Sequence, residues 1–115
     1  MSDVATINAE LVKFSQRLAT AVNEYDVACK DAAEKRTDYD VQWAKTLLKS
    51  QLKTVSARNS EAVVICESAM RDARIAEAMR DALKERIRAL QAVLNACQTR
   101  AGFLKEEMRM TGRSY

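Results

Sequence analysis

EAVVICESAMRDARIAEAMRDALKERIRALQAVLNACQTRAGFLKEEM, residues 61–108, carries apolar side chains on a seven-residue repeat. One position of the repeat holds Ala62, Ala69, Ala76, Leu83, Leu90, Cys97 and Leu104. The position four residues on holds Cys66, Ala73, Arg80, Ile87, Leu94, Ala101 and Met108. Alternating steps of three and four place both sets on one side of an α-helix. A repeat sustained over so many turns marks a helix packed along its whole length. Only Arg80 interrupts the stripe. A charged residue there either sets register and oligomer state or snorkels to the edge.

Upstream, apolar residues recur at helical spacing from Val4 through Ile7, Leu11, Phe14, Leu18, Val22, Tyr25, Cys29 and Ala32. The stripe continues through Tyr39, Trp43 and Leu47 to Leu52. Its heptad drifts toward an eleven-residue spacing (Leu11, Val22, Ala33, Ala44, Val55), which follows a nearly straight helix. The pattern predicts a first helix over residues 3–53, capped by Asp3 or Ser2. A break at Thr37-Asp38 is the alternative, because Thr37 followed by Asp40 resembles a capping box. The small polar residues of 54–60 predict a turn. Asn59 or Ser60 then caps a second helix over 60–110, with Gly112 as its stop and 111–115 as a frayed tail.

Composition agrees with an all-α chain. The 115 residues are 48% apolar and 30% charged, with no proline and two glycines, Gly102 and Gly112. Turn-rich β folds need more of both residues. The length suits one domain, residues 1–115. No stretch approaches the roughly 18 apolar residues of a membrane span, and Met1-Ser2-Asp3-Val4 does not open a secretory signal. Three cysteines (Cys29, Cys66, Cys97), an odd number without a signal, fit a reducing cytoplasm. With no CxxC and no histidine, neither a metal nor another cofactor is expected. Nor is an enzyme. The carboxylate pairs Asp38/Asp40 and Glu106/Glu107 sit among bases on polar faces, and no glycine-rich phosphate loop exists.

Two long helices and a short turn imply an antiparallel hairpin. A turn centred near Ser56 sets residue i opposite residue 112 − i, so Trp43 meets Ala69, Tyr39 meets Ala73, Leu18 meets Leu94 and Tyr25 meets Ile87. Leu83 and Leu90 complete the expected core and self-association surface, together with Val22. Large residues set against small ones keep the core thickness constant. One hairpin cannot cover every apolar flank, so the expected assembly is a homodimer closing a coiled-coil-like four-helix bundle. The alternative is a monomer folded back on itself.

The polar feature that stands out is basic. No acid occurs from Val41 to Ser60, and Lys45, Lys49 and Lys53 recur every four residues, followed by Arg58. Such a patch either contacts nucleic-acid phosphates or complements the helix C-terminus as a solvated face. The net charge of +3 is low for a dedicated nucleic-acid binder. The expected role is therefore protein–protein contact, with nucleic-acid binding through Lys45, Lys49, Lys53 and Arg58 as the alternative.

Two stretches carry a family resemblance: Thr54-Val55-Ser56-Ala57-Arg58, and Ile87-Arg88-Ala89-Leu90-Gln91 through Glu107-Met108-Arg109. In them the chain resembles small helical-hairpin proteins of bacteriophages, often encoded near recombination and replication genes. The resemblance covers about the last 60 residues of the sequence. It implies an accessory role in the host cytoplasm and no particular mechanism.

Overall fold

The structure, a computed structural model, describes residues 3–113. Among the described residues three helices follow one another: α1 (Val4–Lys49), α2 (Val55–Ile65) and α3 (Glu67–Arg113). The chain divides into two compact units. One joins the residues up to Glu24 with those from Leu83 onward, and the other is Tyr25–Ala82. Both long helices run through both units. Residues in a helix pair touch only neighbours within a turn or two, so contacts gather locally along the pair.

Asp3 starts α1. Its carboxylate accepts from the Thr6 amide at 2.8 Å, satisfying an orphan donor of the first turn. That hydrogen bond holds the Asp3 carboxyl below its ordinary value. The other candidate cap, Ser2, lies outside the described residues. No break occurs at Thr37-Asp38; α1 is continuous. Thr37 is exposed while Ala32, Tyr39 and Thr46 keep the seven-residue seam, so nothing competes with the helix there.

The first helix ends at Lys49, not at residue 53, and Ser50 explains why. Its amide bonds the Leu47 carbonyl at 3.4 Å, tightening the last turn. Its hydroxyl donates to Glu61 Oε2 at 2.6 Å and accepts from the Leu52 amide at 3.2 Å. A serine side chain offering the backbone another partner is a helix terminator. The turn therefore lies at 50–54, ahead of its expected place. Thr54, not Asn59 or Ser60, caps the next helix. Its backbone is extended (φ −100°, ψ 149°) and its Oγ1 accepts from the Ala57 amide at 3.1 Å.

The expected second helix is interrupted once, at Cys66, where φ is −92° and ψ is 8°. Hydrogen bonds still cross the interruption, from the Cys66 amide to Ala62 O (2.8 Å) and from the Met70 amide to Cys66 O (2.9 Å). At the far end Gly112 does not stop α3, which continues to Arg113. A glycine stop needs a left-handed backbone, and no described glycine has positive φ. Of the expected frayed tail, Thr111 and Gly112 are helical, and residues 114–115 lie outside the described residues.

Within each unit α1 and α3 pack antiparallel, on a seam of small side chains. Ile7, Ala21 and Cys97 are buried in one unit, and Ala32, Thr46, Ala62, Cys66, Ala73 and Ala76 in the other. Alanine at facing positions lets helices approach closely. The expected register holds near the connector, where Thr46 meets Cys66. Arg36–Glu77 and Ser50–Glu61 lie one residue off it. In the other unit Glu24–Arg86 lies two off and Glu10–Cys97 five.

Candidate interaction surface

The anticipated core residues divide by size. Leu18, Tyr25, Tyr39, Trp43, Leu83, Ile87, Leu90 and Leu94 are all half-buried. Val22 is 46% exposed. The fully buried positions beside them are mostly alanine and cysteine. Two helices drawn together on alanine leave their larger neighbours on the rims of the seam, covered from one side only.

Polar groups along the seam are satisfied. The buried Thr46 hydroxyl donates to Gln42 O at 2.7 Å and meets Cys66 Sγ at 3.7 Å. Cys97 Sγ donates to Glu10 Oε2 at 3.7 Å. Cys29 is half-buried, and its hydrogen bond to Tyr25 holds the phenol neutral, raising the tyrosine's pKa. All three thiols are free.

One cross-helix latch stands out. Arg36 grips Glu77 through two bonds, Nε to Oε2 at 3.1 Å and Nη2 to Oε1 at 2.6 Å. The same guanidinium lies 5.4 Å from the Tyr39 ring centroid. A bidentate fork is the strong form of ion pairing, and stacking on an aromatic face adds to it. The hydrogen bond raises the Arg36 pKa and lowers that of Glu77. Arg80 is a snorkelling residue. It is half-buried, and its Nε donates to the neighbouring Asp81 at 3.0 Å, which raises its pKa.

The four expected phosphate contacts are not equivalent. Lys45 and Lys49 lie on α1 beside an open groove of about 330 Å³, shared with Gln42, Thr46, Glu61 and Ile65. Lys53 falls beyond the end of α1, in the turn, so it does not continue their helix face. Arg58 belongs to α2, and its Nε donates to the Leu52 carbonyl at 2.6 Å, bracing the connector. The acid-free run from Val41 to Ser60 stops one residue short of Glu61. The fold brings Glu61 back beside the lysines.

Exposed apolar side chains are the larger feature. On α3 the flank beside the seam carries Met79 and Val93, and Ile75 lies farther round. On the outer side of α1 stand Val27, Val41 and Leu48, the last 87% exposed. The valines are fourteen residues apart and Leu48 follows seven on. This second heptad position was legible in the sequence, but the stronger stripe through Tyr39 and Trp43 masks it.

Among the described residues no helix is long and apolar enough to cross a membrane. Also among them, no group of three or more metal-ligating side chains could hold an ion. In comparisons with known proteins, no family model, no curated protein and no solved structure matches the chain.

Proposed function

We propose that this chain is a non-enzymatic interaction protein, a helical hairpin that self-associates and presents its polar faces to another protein. Burial carries the reading. The completely covered side chains are small, Ile7 and Cys66 being the largest, while valine, leucine, isoleucine and methionine side chains stand exposed along both long helices. Covering apolar surface contributes about 25 cal/mol per Å². A second copy supplies matching apolar surface at no cost in new sequence, and two copies make a four-helix assembly. The resemblance to bacteriophage helical-hairpin proteins supports a phage-encoded accessory role, and the free thiols fit the reducing cytoplasm of a host cell.

Nucleic-acid contact has less support. Arg58 is held by a backbone carbonyl, and Glu61 shares the groove of Lys45 and Lys49. Phosphate-binding surfaces gain from unopposed cations, and exposed Leu48 adds nothing to them.

Thermal melting over a hundredfold range of protein concentration tests the proposal. Association that favours the folded state raises the midpoint as concentration rises. A midpoint independent of concentration overturns it.

A further inference from the structure

We propose that the outer face of α1 in the Tyr25–Ala82 unit is the self-docking surface, with a second copy's α1 laid antiparallel against it. This rests on the self-association reading above and gives it a place and a register. At 3.6 residues per turn, Glu34, Asp38, Val41, Lys45, Leu48 and Lys49 fall within an arc about 100° wide. All six are exposed. The seam residues Ala32, Tyr39 and Thr46 occupy a different side of the helix, so α3 does not cover this arc.

Charge order along the face selects the occupant. Glu34 and Asp38 precede Val41, while Lys45 and Lys49 follow it. None of the four carboxylates and amines takes part in an ion pair among the described residues. A two-fold axis crossing the helix just past Val41 sets Asp38 opposite Lys45 of the second copy, and Glu34 opposite Lys49. Symmetry makes each pair twice, as an isologous contact requires. Val41 then packs beside its twin near the axis. A parallel arrangement sets Asp38 on Asp38 and Lys45 on Lys45, which like-charge repulsion disfavours. The face is thus complementary to itself in one direction only.

Charge exchange tests the register without disturbing the fold, because Asp38 and Lys45 are exposed. Dimer dissociation constants are measured by sedimentation equilibrium for the parent, Asp38→Lys, Lys45→Glu, the double variant and an equimolar mixture of the two single variants. Each single variant should dimerise at least about tenfold more weakly, since two attractive pairs become repulsive. The double variant should recover the parent's constant. The mixture should recover it too, by forming a heterodimer, an outcome that rearrangement within one chain cannot imitate. A parent dimer that neither single variant weakens overturns this interface while leaving self-association standing. Weakened single variants that the mixture fails to restore also overturn it. A parent that remains monomeric throughout removes both the interface and the function proposed above.

Discussion

Replacing Ala73 by leucine should destabilise the chain more than its conservative chemistry suggests. Ala73 is 0% exposed, on the seam where α3 meets α1. Leucine adds three carbon atoms to a position with no free surface. They fit only if the helices move apart, which uncovers the rims where Tyr39 and Trp43 are half-buried. Overpacking a close-packed site costs about 1–3 kcal/mol. At about 4 °C per kcal/mol for a chain of this size, the midpoint falls by about 4–12 °C. Ala92→Leu is the control, since Ala92 is exposed on α3 and a substitution there should stay within about 0.5 kcal/mol. Both are read by far-ultraviolet circular dichroism at one fixed protein concentration, so that association contributes equally. If Ala73→Leu melts with the parent, or above it, the seam is not closely packed and the explanation of the exposed rims fails with it.

Three further outcomes follow from the same geometry. Thr54→Ala removes the acceptor of the Ala57 amide and should cost about 0.5–2 kcal/mol in urea unfolding, whereas Asn59→Ala, at the cap expected from sequence, should cost little. Glu77 is held below its ordinary 4.5 by Arg36, so the folded form binds its proton less readily than the unfolded chain. That contribution is full above pH 4.5 and is lost as pH falls through the lower folded value. Glu77→Gln should therefore melt below the parent at neutral pH and converge with it in acid; a constant gap across that range contradicts the latch. Under native conditions a thiol reagent should modify the half-buried Cys29 first, with buried Cys66 and Cys97 following only as the chain opens.

The helical character and the seam were legible because one physical rule, apolar spacing, writes both. Ala62, Ala69, Ala76 and their partners at Cys66 and Ala73 repeat often enough that local exceptions such as Arg80 do not hide the pattern. The connector was not legible, because its residues act through distant partners. Ser50 ends α1 once Glu61 receives its hydroxyl, and Thr54 caps α2 in an extended backbone that Asn59 and Ser60 could equally have taken. Gly112 is a weak signal for a similar reason: glycine permits a left-handed stop but does not impose one. The basic patch was half legible. The spacing of Lys45 and Lys49 placed them together, but the fold alone shows that Lys53 leaves their face and that Arg58 braces the loop. Glu34 and Asp38 share the face of Lys45 and Lys49 but precede the acid-free run, so that run alone does not reveal the alternation of charge along the helix.

Self-association, as proposed, brings a second copy onto apolar surface that one chain leaves exposed. Static light scattering on a dilution series gives the answer in mass. For a 12.9 kDa chain, self-association gives about twice that mass at high concentration, falling toward the single-chain value on dilution. A mass that stays at one chain at every concentration contradicts it.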